Sequence, residues 1–202
     1  MEIEIEQLGK RYQHGWVFQN ISHHFESGKV YGIAGRNGSG KSTFLKIISG
    51  LLSPSKGNVS YKSSGMSIKR EEIYAHISIA APYTDLIEEY NLKEMITFHS
   101  GMKPSDCFTS VQQWIEILDF PHSVVRPLYQ FSSGMKQRVK LGLALYSNSD
   151  IIILDEPTSN LDEQAKEWFF DQLIKRKEER IILIASNEVP DFKYCSEILS
   201  LH

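Results

Sequence analysis

"GRNGSGKST", residues 35–43, lies between an apolar run that predicts a strand, KVYGIAG, and a segment that predicts a helix, KSTFLKIISGLL. It fits the pattern G-x-x-x-x-G-K-[ST] through Gly35, Gly40, Lys41 and Ser42. Glycines let the backbone curl so that its N–H groups face phosphate oxygens, and the helix N-terminus adds positive potential. The order of strand, loop and helix favours a phosphate-binding loop over a glycine-rich turn with a stray lysine. Lys41 is then expected to reach the β- and γ-phosphates, and Ser42 to ligate Mg²⁺.

A second motif, IIILDEPTSNLD at residues 151–162, supplies acidic groups. Its four leading apolar residues predict a buried strand of a parallel sheet. Asp155 and Glu156 come at the carboxyl end of that strand, where open α/β sheets bind ligands. We predict that Asp155 holds Mg²⁺ through water and that Glu156 accepts a proton from an attacking water or polarises it. An isolated Asp-Glu pair is usually surface charge, but the segments on both sides of this pair favour the functional interpretation.

The rest of the chain predicts an α/β fold with a helical insertion. Strands are predicted for the alternating N-terminus and for ISHHF, GNVSY, HISIA, RIILIAS and EILSL. From about residue 82 to residue 147 the pattern is helical, with a capping box in NLKE at residues 91–94. The helix that begins near residue 133 repeats Met135, Val139, Leu143 and Tyr146 on one face.

Composition narrows the classes of function. The 202 residues carry a net charge of −3, with a pI of about 6.2, so no overall basic excess favours nucleic acid or an anionic membrane surface. Cys107 and Cys195 have no CxxC spacing, which favours reduced thiols in a cytosolic protein. The N-terminus lacks the apolar run of a signal peptide, and no stretch approaches the ~20 apolar residues of a membrane helix. Any membrane role is therefore expected to run through a partner.

With FSSGMKQR at residues 131–138 added to these motifs, the chain resembles the ATP-binding subunit of an ABC transporter, over essentially its whole length. GRNGSGKST is similar to the family's Walker A, IIILDE to its Walker B, FSSGMKQR to its LSGGQ signature and SNLD at residues 159–162 to its D-loop. The signature variant is similar to those of exporter-like, ABC-2-like members. The resemblance implies a P-loop NTPase fold with a mixed, mainly parallel sheet, an N-terminal antiparallel β portion and a small helical insertion. One ATP-binding domain would span residues 1–202, with a helical subdomain at about 82–147.

The resemblance also implies a mechanism. Two copies would pair head to tail, with each ATP held between the phosphate loop of one and the signature of the other. Glu156, Lys41 and Asn187 are expected to be catalytic, and Ser42 and Asp155 to bind Mg²⁺. The residues expected to contact ATP, with Tyr12 stacked on the adenine, are Tyr12, Val17, Gly35, Arg36, Asn37, Gly38, Ser39, Gly40, Lys41, Ser42, Thr43, Ser132, Ser133, Gly134 and Asp162.

The resemblance further implies an integral membrane permease as partner, besides the second copy of a homodimer, and no nucleic acid. The protein would lie on the cytoplasmic face of the membrane, bound there through the permease. The family docks that partner beside the helical insertion, where Tyr83, Leu86, Ile87 and Tyr90 stand between acids. Each of these residues, taken singly, could equally fill the chain's own core.

Several positions depart from the family pattern. Ser133 replaces a glycine and Met135 a glutamine in the signature. The Q-loop glutamine is expected at Pro82, or at Ala81, so no glutamine is available there to contact Mg²⁺ or water. Asn187 stands where the switch histidine is expected, and an amide can donate a hydrogen bond to phosphate but cannot carry a proton's charge. We therefore predict slow hydrolysis.

Two other classes of function stay open. A soluble ABC-type ATPase of DNA repair or translation usually carries a long coiled-coil insertion or two cassettes, and this sequence has neither. An ATP-sensing module that scarcely cleaves ATP fits Pro82 and Asn187. A GTPase or a small-molecule kinase is disfavoured, because no Asn-Lys-x-Asp guanine motif is present.

Overall fold

The computed structural model describes residues 1–13, 15–120 and 125–201. In chain order, the strands are β1 (Glu2–Tyr12), β2 (Gly15–Glu26), β3 (Lys29–Ala34), β4 (Lys56–Ser63), β5 (Met66–Ile68), β6 (Ile77–Ala80), β7 (Ile151–Asp155), β8 (Ile181–Ser186) and β9 (Glu197–Ser200). The α-helices are α1 (Lys41–Ile48), α2 (Leu92–Met102), α3 (Val111–Leu118), α4 (Ser133–Tyr146) and α5 (Glu163–Arg176). Short 3₁₀ turns connect some of these elements.

The chain divides into two compact units. The first contains residues 1–78, 149–156 and 177 to the end of the described chain, and it carries the phosphate loop. The second contains Ile79–Asn148 and Pro157–Arg176, and it carries the signature segment. The predicted helical subdomain of residues 82–147 lies within the second unit, to which Pro157–Arg176 also belongs.

An antiparallel sheet of order β2-β1-β4-β5 forms one layer of the first unit. Alternation along β1 explains its two faces, because Ile3 and Ile5 are buried whereas Glu2 and Glu4 are exposed. On β4, the buried Tyr61 donates its hydroxyl hydrogen to the Ile48 carbonyl at 2.8 Å, which ties this sheet to the end of α1.

The second sheet has the order β6-β7-β8-β3-β9. β7, β8, β3 and β9 run parallel, and every residue of β7 and β8 is buried. Both faces of a parallel sheet are covered, so these strands need the continuous apolar runs that the sequence shows. The predicted α/β fold class, with antiparallel and parallel portions, is confirmed. The carboxyl ends of β3, β7 and β8 place the phosphate loop, the acidic pair and Asn187 at one edge of this sheet.

The second unit is built from α2, α3, α4 and α5. The predicted capping box is confirmed: Asn91 Oδ1 accepts from the Glu94 N–H at 3.0 Å, and Glu94 Oε2 accepts from the Asn91 N–H at 2.8 Å. α4 contacts α5, and Tyr146 donates to Gln172 Oε1 at 2.7 Å. Val139, Leu143 and Tyr146, three of the four residues predicted on one face of α4, are buried. Further residues of α4 are buried as well, namely Gln137, Leu141, Gly142, Ala144 and Leu145.

Candidate functional site

The phosphate loop connects β3 to α1, and its last residue sets the start of the helix. Gly40 lies at the N-cap with φ +97°, in the left-handed region that favours glycine. A Cβ added there would lie 2.4 Å from Val17 Cγ1, so Gly40 is required for space as well. No side chain caps α1 at Gly40, which leaves the first-turn N–H groups available to a ligand. Such a helix start is suited to an anion.

Lys41 is a buried cation of this loop, and only 6% of it is exposed. Its Nζ donates to the Gly35 carbonyl at 2.8 Å and to the Arg36 carbonyl at 3.3 Å. The same Nζ lies 3.7 Å from Glu156 Oε1. The ammonium is therefore held at the mouth of the loop by neutral carbonyls and by one carboxylate.

Asp155 ends β7 as a buried carboxylate, 1% exposed. Within the part of the chain that the structure describes, neither of its oxygens has a hydrogen-bond partner. Burial raises the pKa of Asp155, while the adjacent Ser42 hydroxyl and the charges of Lys41 and Lys46 act in the opposite direction. An unsatisfied carboxylate beside a hydroxyl suits a hard divalent cation. Across the described ranges, no group of three or more His, Cys, Asp or Glu is placed to hold a metal, so a cation here needs ligands from substrate and water.

Glu156 follows in a strained backbone conformation, φ +51°. Its N–H donates to the Ala185 carbonyl at 2.8 Å, and its Oε2 lies 3.4 Å from the Ser186 hydroxyl. Burial raises the pKa of Glu156, the Lys41 charge lowers it, and Asp155 raises it again. The result is a carboxyl with a raised pKa at the strand end, which is a property of general bases.

One cavity of about 430 Å³ gathers part of the predicted site, namely Val17, Asn37, Gly38, Gly40, Lys41, Ser42, Thr43 and Glu156. Gly35, Arg36 and Ser39 line a larger adjoining cavity of about 1210 Å³ together with Asn37, Gly38 and Asn187. Tyr12 does not line either cavity. It ends β1 half exposed, with Lys10 Nζ 5.1 Å from the centre of its ring.

Asn187 directly follows β8, and its Nδ2 donates to Asn37 Oδ1 at 3.0 Å. The position at which a switch histidine was expected thus holds an amide that contacts the phosphate loop. Pro82 and Ala81, the alternative Q-loop positions, lie in the second unit, where Thr84 Oγ1 bonds both the N–H and the carbonyl of Ala81.

The signature segment forms the start of α4 in the second unit. Ser132 is its N-cap, and Ser132 Oγ accepts from the Met135 N–H at 3.2 Å. A Cβ added at Gly134 would lie 2.6 Å from the Asn160 carbonyl oxygen, so glycine allows the loop that contains Asn160 to approach α4. Ser133 and Asn160 line a common cavity of about 250 Å³.

Asp162 caps the next helix. Its Oδ1 accepts from the Ala165 N–H at 2.8 Å, which anchors the start of α5. The predicted residues therefore form two sets. Val17, the phosphate loop, Asp155, Glu156 and Asn187 belong to the first unit, whereas Ser132, Ser133, Gly134 and Asp162 belong to the second.

Two residues of the site were missed by sequence reasoning. Ser186 contacts Glu156, and Asn160 contacts Gly134 through its carbonyl. A signal for Ser186 was available, because a hydroxyl at the end of an all-apolar strand must find a polar partner. For Asn160 the only local signal is its place in the SNLD segment, which does not predict a backbone contact.

The chain is similar in sequence to known proteins. Residues 18–159 match the family model described as ABC transporter. The uncharacterized ABC transporter ATP-binding protein YybJ of Bacillus subtilis is 32% identical over 196 residues, covering 94% of this chain and 87% of that protein. The Nod factor export ATP-binding protein I of Burkholderia thailandensis is 28% identical over 174 residues, covering 85% of this chain and 57% of that protein.

Solved structures share the fold. An ABC transporter ATP-binding protein from Pyrococcus furiosus superposes with a TM-score of 0.84 at 25% identity, covering 100% of this chain and 98% of that chain. A dimeric ATP-binding cassette bound to ADP and Pi, in a post-hydrolysis state, has a TM-score of 0.81 at 22% identity, covering 98% of this chain and 94% of that chain. At that identity the second likeness concerns the fold alone.

Proposed function

Because the chain belongs to the ABC transporter family as an ATP-binding protein, we propose that it is the subunit that binds and hydrolyses ATP to power a membrane transporter. The observation that carries this proposal is the convergence of Lys41, Asp155 and Glu156 at one edge of the parallel sheet. A cation, an unsatisfied carboxylate and a carboxyl of raised pKa are the groups that phosphoryl transfer to water requires.

Nucleotide binding falls to the phosphate loop. Its backbone N–H groups and the uncapped start of α1 receive the phosphates, and Lys41 exchanges its two carbonyl partners for phosphate oxygens. That exchange is favourable because the ammonium then pairs with oppositely charged phosphate oxygens in place of neutral carbonyls. The half-exposed ring of Tyr12 is proposed to stack on the adenine.

Mg²⁺ fits the pair formed by Asp155 and Ser42. The two buried oxygens of Asp155 lack hydrogen-bond donors among the described residues, and the Ser42 hydroxyl is adjacent. When bound, the ion neutralises charge on the β- and γ-phosphates. The protein's part is to orient the Asp155 carboxylate at the strand end, and the positive charge of the ion would favour its ionised form.

Hydrolysis is assigned to Glu156, which accepts a proton from the attacking water. Asn187 is proposed to donate a hydrogen bond to a γ-phosphate oxygen in place of its present bond to Asn37. An amide cannot supply the positive charge of a protonated histidine, and Pro82 cannot supply a glutamine side chain. We therefore expect turnover to be slow.

Two copies are proposed to close around ATP as a homodimer. The signature residues Ser132, Ser133 and Gly134 of one copy would face the γ-phosphate held by the other, with Asp162 near the same interface. This arrangement is supported by the capped start of α4, whose Ser132 hydroxyl can still donate its hydrogen to a phosphate. Neither copy alone would hold a complete reaction centre.

An integral membrane permease is proposed as the second partner. None of the described helices has the length and apolarity of a membrane-spanning helix. Tyr83, Leu86, Ile87 and Tyr90 are partly exposed on the second unit and form the proposed contact. This contact would hold the protein at the cytoplasmic face of the membrane.

A regulatory module that senses ATP with little hydrolysis is the second candidate. It is favoured by the bond between Asn187 and Asn37, because both side chains that could contact the γ-phosphate from this side are neutral amides. Turnover distinguishes the two candidates, since a sensor binds ATP without releasing phosphate.

The test compares the parent protein with Glu156→Gln in a steady-state ATPase assay. Loss of turnover in Glu156→Gln, with ATP binding retained, is expected if Glu156 is the base. Glu188→Gln, which neutralises an exposed acid two residues after Ser186, is the matched control and should keep parental turnover.

The same proteins test dimerisation by light scattering with ATP and Mg²⁺. Glu156→Gln should accumulate as a dimer, because nucleotide is no longer consumed. Equal turnover in the parent and in Glu156→Gln would contradict the assignment of Glu156. ATP binding without measurable turnover in the parent would favour the sensor.

A further inference from the structure

We propose that Ser186 is a positioning residue that holds the Glu156 carboxylate in place for ATP hydrolysis. This role rests on the proposed function, in which Glu156 is the base. Ser186 contacts neither the reacting water nor the nucleotide in this proposal and acts only through Glu156.

The hydroxyl of Ser186 is fully buried, and its single hydrogen is available for one hydrogen bond. Its Oγ accepts from the Glu188 N–H at 3.0 Å, so its own hydrogen is left for another acceptor. Glu156 Oε2, 3.4 Å away, is the acceptor that the structure provides. The bond is long, as catalytic hydrogen bonds often are before substrate binds. It fixes one oxygen of the carboxylate.

The main chain supports the same contact. Glu156 has φ +51°, a conformation that non-glycine residues keep only where their surroundings hold them. Its N–H donates to the Ala185 carbonyl at 2.8 Å. Two consecutive residues of β8 therefore hold Glu156, Ala185 through the backbone and Ser186 through the side chain.

The position of β8 in the sheet explains why this contact matters for the site. β8 lies between β7 and β3, and Ser186 is paired in register with Ala34, the last residue before the phosphate loop. Ser186 thus links the strand end that carries Glu156 to the strand that leads into the loop. When Ser186 holds the Glu156 carboxylate, the carboxylate keeps a fixed distance from phosphate bound in the loop.

Lys41, the cation beside Glu156, does not hold the Glu156 carboxylate in the same way throughout the cycle. Lys41 Nζ lies 3.7 Å from Oε1, but the proposed function transfers this ammonium to phosphate oxygens when ATP binds. The Ser186 contact uses no atom that binds the nucleotide, so it persists through the cycle. Because the catalytic geometry must hold when ATP is present, Ser186 is the more durable of the two constraints.

The experiment measures kcat and KM for ATP in Ser186→Ala, Ser186→Thr and the parent. Ser186→Ala should lose roughly tenfold in kcat, the loss expected for one hydrogen bond to a charged group, with KM nearly unchanged. Ser186→Thr keeps the hydroxyl and should restore most of kcat. Ser49→Ala is the matched control, since its buried hydroxyl bonds the Lys46 carbonyl of its own helix, and it should behave as the parent.

A double-mutant cycle separates positioning from general stability. In the Glu156→Gln background, Ser186→Ala should leave the residual rate, measured in single-turnover reactions, unchanged, because the carboxylate that it positions is already absent. Parental kcat in Ser186→Ala, an equal loss in Ser49→Ala, or a full additional loss in the Glu156→Gln background would overturn the proposal. If Glu156→Gln itself keeps parental turnover, the assignment of the base fails and this proposal fails with it. If Glu156→Gln is inactive and Ser186→Ala is unchanged, only the role of Ser186 is lost.

Discussion

The helices α1 and α4 both begin at small residues, yet their first turns are built differently. α1 starts after Gly40, whose φ is +97°, and no side chain caps it. α4 starts after Ser132 in an extended conformation, φ −63° and ψ 162°, and the serine hydroxyl already accepts one of the four free N–H groups. The first start leaves its donors available to enclose an anion, and the second offers fewer donors plus one hydroxyl. We infer that α1 holds the triphosphate and that α4 contacts a triphosphate held by another copy.

The glycines at the two starts are also required for different reasons. Gly40 needs its positive φ and has no room for a Cβ beside Val17. Gly134 has no positive φ, but the Asn160 carbonyl lies where its Cβ would be. In the first case the glycine shapes the loop itself, and in the second it permits a neighbouring loop to approach. The glycines of the two motifs are therefore required for different structural reasons.

The largest effect is expected from Ser132→Asp compared with Ser132→Ala. Aspartate is as good an N-cap as serine, so Ser132→Asp should keep the stability of α4, whereas Ser132→Ala should lose about 1 kcal/mol of unfolding free energy. Turnover should show the opposite order. A carboxylate beside the γ-phosphate of a second copy is repelled by several kcal/mol, so Ser132→Asp should fall at least about a hundredfold. Steady-state ATPase assays and urea unfolding measure the two quantities.

Equal turnover in Ser132→Asp and Ser132→Ala would contradict the inferred difference between the two helix starts. It would mean that the start of α4 has only the structural function of a capped helix, and that no phosphate approaches it. ATP affinity of the isolated monomer is the internal control, because α1 alone should set it, and it should be equal in both variants.

A smaller effect is expected from Gly134→Ala, with Gly101→Ala as its matched control. Both glycines lie in helices of the second unit, but only Gly134 has an atom in the path of a new Cβ, the Asn160 carbonyl oxygen at 2.6 Å. Gly134→Ala should destabilise the protein by about 1–3 kcal/mol through overpacking. Gly101→Ala, with open space around it, should stabilise α2 by up to about 1 kcal/mol. Urea unfolding of both variants measures the difference in unfolding free energy. Equal changes in the two variants would show that the Asn160 loop can move away from a new Cβ without loss of stability.

Much of the fold could be predicted from the sequence, because its signals are local. The apolar runs of β7 and β8 predicted buried parallel strands, and NLKE predicted the capping box that Asn91 and Glu94 form. The short strand β5 was missed, since Met66–Ile68 is three residues long with two of them exposed. The width of the buried face of α4 was also missed, because neighbours on several sides bury residues that a single helical stripe leaves out.

For the candidate site as well, the sequence predicted some features and missed others. The positions of Lys41 and Asp155 follow from motif spacing, whereas their contacts do not. Asn37 and Asn187 are 150 residues apart and meet only because β3 and β8 are neighbours in the sheet. Ser186 reaches Glu156 for the analogous reason, through β7 and β8. Contacts between strand ends depend on the strand order, which no local pattern specifies.

The smallest expected effect concerns the other ends of the two helices. The C-cap of α1 is Ser49, whose hydroxyl donates to the Lys46 carbonyl of the same helix. The C-cap of α4 is Ser147, whose hydroxyl donates to the Leu143 carbonyl of the same helix at 2.6 Å and accepts from His99 Nε2 at 2.7 Å. Burial lowers the pKa of His99, and the charge of Lys103 lowers it further. The C-terminal end of α4 is therefore in contact with a histidine whose neutral form is favoured by burial.

Because the pKa of His99 is lowered in the folded protein, the free energy of unfolding depends on pH. The unfolded chain, in which His99 has its ordinary pKa, binds the proton more readily than the folded chain as pH falls. The free energy of unfolding should therefore decrease from about pH 7 to about pH 5, across the ordinary titration range of histidine. His99→Gln should decrease less over that range, while His24→Gln, at an exposed position on β2, should follow the parent. Urea unfolding at each pH measures these slopes, and a slope in His99→Gln equal to that of the parent would show that the end of α4 is no more sensitive to acid than the end of α1.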